Sequence, residues 1–270
     1  MMRFLNVIVA ASLTIGADAQ VVIVSDHRPM ARMLDSLEIL LNVPIHYEDP
    51  QYSYAGDLED VANQEMRSRV GRDDFKIFVP RRATFTVRQL STAFPSELER
   101  VSQVREAIDS FSSTGLSHLY TLDTSGGVLY VIPKASADKH GRLQPVMSVM
   151  SERVTIPSRT LAVHEAINVL LQSVSDSKGA KVVLGQAPIW AGRMVTIKSD
   201  GEEARIVLRR ILEAAAPSQP LSYRLLYDPT VKYYMLNLQT LGGQRSTLAP
   251  VTRPSVEGQT NTTGAAWFKK

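Results

Sequence analysis

The sequence contains one order of secondary-structure signals twice, and this internal repeat constrains the fold more than any single motif. Strands are predicted from short runs of β-branched and aromatic residues, and helices from apolar residues at three- and four-residue spacing. In each half these signals follow the order strand, helix, strand, strand, helix, strand, strand. We therefore predict an α+β fold of two small βαββαββ domains in tandem, each with two helices packed on short sheets.

Two further patterns support the repeat. A capping box, in which a serine precedes a glutamate by three residues, marks the start of the second helix in each half. Ser96 and Glu99 form this pattern in the first half, and Ser199 and Glu202 form it in the second. The hairpins that close the two halves also align without a gap, although few residues are identical.

Composition sets the predicted boundaries. A polar, proline-free stretch from Lys134 to Gln144 separates the halves, and a segment rich in Gly, Ser, Thr and Pro follows the second hairpin. We predict a signal peptide at residues 1–19, a first domain at 20–133, a linker at 134–150, a second domain at 151–240 and a disordered tail at 241–270.

The first nineteen residues are typical of a cleavable secretory signal. A cationic start at Arg3 precedes the apolar run Phe4 to Ile15, and Ala17 to Ala19 has the small-x-small pattern of a cleavage site. The run is about half of the roughly 20 apolar residues that a membrane-spanning helix needs. An uncleaved anchor is the alternative. Both interpretations place the rest of the chain outside the cytoplasm, in the periplasm or at the cell surface.

Composition excludes several classes of function. The chain has no cysteine, which removes thiolate zinc sites, haem attachment and cysteine nucleophiles. Its net charge of +3 comes from basic and acidic residues interspersed along the whole chain, so no nucleic-acid partner is predicted. No second long apolar stretch follows the signal, so the mature chain is expected to lack a transmembrane segment.

The second half resembles the short N-terminal domain of secretins and TonB-dependent receptors. The resemblance rests on the element order and on the segments VTIPSRTLAVHEAINVLLQSVSDSKGAKVVLG, MVTIKSDGEEARIVLRRIL, LSYRLLY and YYMLNL within residues 154–238. Gly179 and Ala180 occupy the junction where this family carries a small residue before a core strand. The first half matches more loosely, over residues 20–133, because it contains an insertion at Gln51 to Asp74.

This resemblance implies a binding function in the cell envelope and not catalysis, with an envelope or periplasmic protein as partner and no cofactor. The chain departs from the family because only a short polar segment follows the second module in this sequence, with no barrel or pore. The predicted binding residues lie in the last hairpin, because tyrosine and arginine near strand edges often anchor protein interfaces. They are Tyr223, Arg224, Tyr227, Tyr233 and Tyr234.

A secreted hydrolase is the alternative from another functional class. His46, Glu48 and Asp49 form the tightest cluster of titratable residues, and on a strand His46 and Glu48 share one face. They could act as an acid–base pair or as two metal ligands. Asp49 followed by Pro50 is also typical of a simple turn at a strand end. An enzyme requires His46 and Glu48 to converge in a concave pocket, whereas burial in a packed core argues against catalysis.

The remaining motifs give weaker evidence about function. No HExxH, GxGxxG or Walker pattern is present, and the sequence predicts no metal site. A third candidate function is binding of an anionic polymer or peptidoglycan through basic strands. The densest basic cluster consists of Lys76, Arg81, Arg82 and Arg88.

Overall fold

A computed structural model describes residues 21–88, 95–185 and 192–241. The predicted signal peptide, and the predicted tail after Leu241, lie outside the described residues.

The first half contains strands, helices and an inserted segment in the following order. Its elements are β1 (Val21–Asp26), α1 (Pro29–Leu41), β2 (Ile45–Glu48), β3 (Leu58–Asp60), α2 (Gln64–Val70), β4 (Phe78–Pro80), β5 (Ala83–Arg88), α3 (Glu97–Phe111), β6 (His118–Asp123), β7 (Leu129–Ala137) and β8 (Leu143–Pro145). The insertion at Gln51 to Asp74 contributes β3 and α2, and β3 pairs with β4, which follows the insertion.

The second half contains the same order without counterparts of β3, α2, β4 and β8. Its elements are β9 (Arg153–Ala162), α4 (Val163–Lys178), β10 (Val182–Leu184), β11 (Met194–Glu203), α5 (Ala204–Ala215), β12 (Leu221–Asp228) and β13 (Tyr233–Thr240). The predicted mixed α+β class is confirmed.

Strand pairing is the same in the two halves. β1 pairs antiparallel with β5, and β9 pairs antiparallel with β11. β2 runs parallel to β7, which pairs antiparallel with β6, while β10 runs parallel to β13, which pairs antiparallel with β12. The two halves therefore repeat both the order of elements and the pairing of strands.

One backbone contact repeats in detail. The N–H of Ile45 on β2 donates to the carboxylate of Glu38 on α1 at 2.7 Å, and the N–H of Val182 on β10 donates to the hydroxyl of Ser175 on α4 at 2.9 Å. In both cases the acceptor lies seven residues earlier on the preceding helix. Ile45 and Val182 therefore occupy equivalent positions in the two halves.

The halves share a single seven-stranded sheet. The strand order is β10, β13, β12, β2, β7, β6, and β8 also pairs with β7. The halves join where β12 runs parallel to β2, with Arg224 opposite Tyr47 and Leu225 opposite Glu48. We call this β12–β2 contact the seam. Because of the seam, the tandem units form one continuous sheet.

Strands occupy part of the predicted linker at 134–150. Residues 134–137 belong to β7, and Ala135 to Ala137 pair with β8. Ser136 and Ala137 are small but buried, and the hydroxyl of Ser136 donates to the carbonyl of Gln51 in the insertion. Small polar residues are typical of linkers in a sequence, but here the insertion covers them.

Each half retains a hydrophobic core of its own. In each, the two helices contact one another, the two-stranded sheet and at least one strand of the large sheet. The first core is built mainly from α1, α3 and the strands around them, with Leu37, Val104 and Phe111 fully or almost fully buried. The second contains Ile167 and Leu208, together with Tyr130 from the first half. The halves thus exchange side chains across the seam.

One of the two predicted capping boxes is confirmed. The N–H of Ser96 donates to the carboxylate of Glu99 at 2.7 Å, and the hydroxyl of Ser96 accepts from the N–H of Glu99 at 3.4 Å. The second is wrong, because β11 continues to Glu203 and α5 begins at Ala204. The hydroxyl of Ser199 accepts from the N–H of Glu202 at 3.4 Å and donates to the carbonyl of Val154 on the paired strand β9, but both Ser199 and Glu202 lie in β11 and not at the helix start.

The gapless alignment of the closing hairpins is also wrong at the turn. In the first hairpin Asp123 pairs with Tyr130, whereas in the second Asp228 pairs with Tyr233. The first turn is therefore longer by two residues. The hairpins are equivalent as pairs of strands but not residue for residue along the predicted alignment.

Candidate functional site

Strand β2 brings together the titratable residues of both halves. Its side chains alternate between the two faces of the sheet, as the pleat requires. His46 and Glu48 contact residues of the second half, whereas Tyr47 belongs to the core of the first half. All of them are buried, and so is Asp49, which follows the strand.

Glu48 is fully buried in an ion pair with the second half. Its carboxylate accepts a hydrogen bond from the hydroxyl of Tyr223 at 2.5 Å and from Arg205 at 3.3 Å. Burial, together with the negative charge of Glu48, raises the pKa of Tyr223 well above its usual range. The charge of Glu48 is thus balanced by α5 of the other half.

His46 is held between two aromatic rings. Its ring centroid lies 4.7 Å from that of Tyr130 and 4.5 Å from that of Tyr223. The Nδ1 atom accepts a hydrogen bond from the backbone N–H of Tyr223 at 3.2 Å, which requires the Nε2-protonated neutral tautomer. Burial lowers the pKa of His46 to about 3, and the positive charges of Arg224 and Arg209 contribute.

Asp49 accepts four hydrogen bonds. The donors are the hydroxyls of Tyr47 and Tyr52, at 2.5 and 3.0 Å, the Nε of Arg28 at 3.0 Å, and the backbone N–H of Tyr227 at 3.0 Å. Both carboxylate oxygens are therefore committed to structural partners. Burial raises the pKa values of Tyr47 and Tyr52 well above their usual range, and Asp49 raises them further.

Arg224 forms the third buried ion cluster at the seam. Its guanidinium lies 2.8 Å from the carboxylate of Glu38 and 3.0 Å from that of Asp35, both on α1. It also donates to the carbonyl of Ile45. Arg224 and Arg205 of the second half thus neutralise carboxylates of the first half on either side of β2.

Two cavities open at the two ends of β2. The first has a volume of about 470 Å³ and is lined by Pro44, His46 and Arg209 among others. The second has a volume of about 280 Å³, and Asp49 and Lys178 are among its lining residues. Glu48 lines neither of them. The predicted acid–base pair His46 and Glu48 therefore does not converge on either of these two cavities.

The predicted binding residues do not lie at an exposed strand edge, as the sequence suggested. Four of them are buried, namely Tyr223, Arg224, Tyr227 and Tyr234. Tyr233 is half-buried, with the ammonium of Lys181 5.6 Å from its ring centroid. The expectation of exposure is wrong because β12 and β13 lie inside the shared sheet, where β12 is covered by β2 at its outer edge.

Sequence reasoning missed the partners of these residues. Glu38, Arg205 and Arg28 hold the three buried clusters, yet each lies in or next to a helix with an ordinary amphipathic pattern. One signal was available for Glu38: it lies on the apolar face of α1, between Leu37 and Leu41. A lone carboxylate at such a position requires a buried cation.

Comparison with protein-family models, curated proteins and solved structures gave no match to this chain. Within the described ranges, none of the helices has the length and apolar character needed to cross a membrane. The same residues contain no group of three or more His, Asp or Glu side chains placed to bind a metal. The four residues of the predicted basic cluster, Lys76, Arg81, Arg82 and Arg88, are exposed.

Proposed function

We propose that this protein is an exported protein-binding module that acts in assembly of the bacterial cell envelope. The βαββαββ order, which carries the resemblance to secretin and TonB short N-terminal domains, is present in both halves once β3, α2, β4 and β8 of the first half are set aside. This order, with its repeated strand pairing, supports a tandem of such modules joined through one sheet. Family membership and export are part of the proposal.

The packing of β2 favours binding over hydrolysis. Glu48 and Asp49 are fully buried and already accept hydrogen bonds from tyrosine and arginine side chains. A general base must reach the proton that it abstracts, and a metal ligand needs a free lone pair. Glu48 and Asp49 instead connect the two halves, because both accept hydrogen bonds from residues of the second half.

The observation that carries the binding proposal is the exposed outer face of β1. Ile23 is 67% exposed and Val21 is 48% exposed, while Val24 on the opposite face is buried. β1 pairs only with β5 among the described strands, so its other edge can accept an extended segment of a partner protein. The equivalent strand β9 contains Pro157, a residue that blunts edge pairing, whereas β1 contains none.

The proposal is tested by capturing partners in the source bacterium. The full chain, with a C-terminal tag, is expressed, mildly crosslinked and recovered from the envelope fraction. Ile23→Asp is expected to abolish recovery of the partner, because it places a charge on the apolar binding face. Leu98→Asp is the matched control: Leu98 is 77% exposed on α3, so its variant should keep the partner.

Both variants must show the unfolding midpoint of the wild-type protein. A tagged chain that stays in the cytoplasm would contradict export. Recovery of no envelope protein with the wild-type chain would contradict the binding function. Equal recovery with Ile23→Asp and with Leu98→Asp would show that β1 is not the binding surface.

A further inference from the structure

Both sides of the seam recur at the ends of the seven-stranded sheet, where no further strand pairs with them in the part of the chain that the structure describes. The seam joins β12 of the second half to β2 of the first half. By the repeated pairing, β6 is the equivalent of β12, and β10 is the equivalent of β2. Among the described strands, β6 and β10 are the two end strands of the seven-stranded sheet. One molecule therefore presents both sides of its own internal contact.

Strand registers fix which residues are equivalent on the β2 side. Tyr47 pairs with Val131 on β7, and Leu184 pairs with Leu236 on β13. This register agrees with the equivalence of Ile45 and Val182 that the helix contacts established. Leu184 of β10 and Gly185, which follows the strand, therefore occupy the places of Tyr47 and Glu48 in the seam.

The β12 side follows from the hairpins. Leu225 pairs with Leu236, and Leu122 pairs with Val131. Leu122 is thus the equivalent of Leu225, and Thr121 is the equivalent of Arg224. In the seam Arg224 is opposite Tyr47. The corresponding contact between two molecules places Thr121 of one opposite Leu184 of the other.

The residues that the register places in this contact, Thr121, Leu122 and Leu184, are uncharged, and the charged Asp123 follows them at the end of β6. Thr121 is exposed, and Leu122 and Leu184 are half-buried. In the seam, Arg224 is buried against Glu38. At the ends of the sheet the equivalent residues are Thr121 on β6 and Ser175 on α4, and neither side chain is charged. The contact between molecules would therefore lack the buried ion pair, and we expect it to be weaker than the seam.

We propose that a second copy of this chain docks head to tail, with β6 of one copy parallel to β10 of the next. The seven-stranded sheet then continues from copy to copy. Such a contact is heterologous, so it produces a ring or a filament and not a closed two-fold dimer. The inference rests on the proposed binding function and deepens it by naming one partner.

The absence of cysteine allows a direct test by disulfide crosslinking. Neighbouring strands bring paired Cα atoms to about 5 Å, within the range that a disulfide spans. Thr121→Cys and Leu184→Cys variants of residues 20–270 are mixed at high concentration and oxidised. We expect a crosslinked dimer from the mixture, monomers from each variant alone, and a ladder of multimers from the double variant. Lys139→Cys, at an exposed turn, replaces Thr121→Cys in the control and should give no dimer with Leu184→Cys.

Two outcomes overturn the inference. Dimers from Thr121→Cys alone would mean that two β6 strands pair with each other. No crosslink in the mixture or the double variant, with unfolding midpoints unchanged, would mean that the end strands do not meet. Capture of an envelope partner that depends on Ile23 would persist in either case, so failure of self-association is distinguishable from failure of the binding function.

Discussion

The position of His46 between the halves determines its protonation state. The ring is stacked on Tyr130 and Tyr223, and the backbone N–H of Tyr223 donates to its Nδ1. Burial lowers the pKa of His46 to about 3, while an unfolded histidine has a pKa of about 6.5. The folded protein therefore favours neutral His46. The stability from this preference is fully present above pH 6.5 and is lost as the pH falls from there towards 3.

We expect the free energy of unfolding to fall by about 2 kcal/mol from pH 7 to pH 5 through His46 alone. His46→Gln should remove this part of the pH dependence, because glutamine takes up no proton in this range. The measurement is urea unfolding at both pH values. His140→Gln, at an exposed turn, is the control and should keep the wild-type difference. The same difference in His46→Gln as in the wild type would contradict the prediction.

The sequence identified His46, Glu48 and Asp49 as a cluster but could not predict what surrounds them. The alternation of a strand correctly places His46 and Glu48 on one face. Their partners Tyr223 and Arg205 are more than 150 positions away in the chain. No local pattern relates such distant residues, so an internal ion pair and a catalytic pair look alike in the sequence.

At the scale of elements, the seam between β2 and β12 is held by buried charges. Arg224 lies between Glu38 and Asp35 of α1, and its guanidinium is almost completely buried. Removing one partner of a buried ion pair leaves the other charge without compensation. The strength of the seam should therefore depend on Arg224.

Arg224→Met is expected to destabilise the protein by about 3 to 5 kcal/mol, the usual cost of leaving buried carboxylates unpaired. Chemical denaturation of the variant and the wild type gives this difference. Arg210→Met is the matched control, since Arg210 pairs with Glu202 at the surface and such pairs contribute at most about 1 kcal/mol. A loss for Arg224→Met no larger than that for Arg210→Met would show that the cluster does not hold the seam.

The two capping boxes show how far a local motif predicts an element. Ser96 and Glu99 cap α3 as predicted, because no strand competes for them. Ser199 and Glu202 have the same spacing, but pairing with β9 extends β11 through both. The hydroxyl of Ser199 then donates across the sheet to Val154, and the N–H of Glu202 that donates to it belongs to β11 and not to a helix. Tertiary pairing decided between two structures that the motif alone allowed.

For the whole molecule, the order of elements was predictable and the joining of the halves was not. Periodicity indicated the alternation of strands and helices in both halves, but it did not predict β3, α2 or β8. The shared sheet depends on β2, whose polar residues do not resemble a buried parallel strand, because these are normally apolar. The small residues of β7 likewise suggested a linker.

The shared sheet and the exchange of side chains predict that the halves unfold together. We expect one thermal transition by calorimetry, with equal calorimetric and van 't Hoff enthalpies. Near-ultraviolet circular dichroism, which reports the tyrosines at the seam, should show the same midpoint. Two separate transitions would contradict this and would indicate halves that are stable on their own.

The seam also determines when the molecule can complete its folding. Arg205, the cation that pairs with Glu48, lies 157 positions after it, and Arg224 lies 186 positions after Glu38. When the chain emerges N-terminus first during synthesis, these acidic residues must therefore stay hydrated until the last third of the chain is available. Contacts between such distant segments slow folding. The first half is thus expected to remain an open intermediate, to which the C-terminal hairpin adds last.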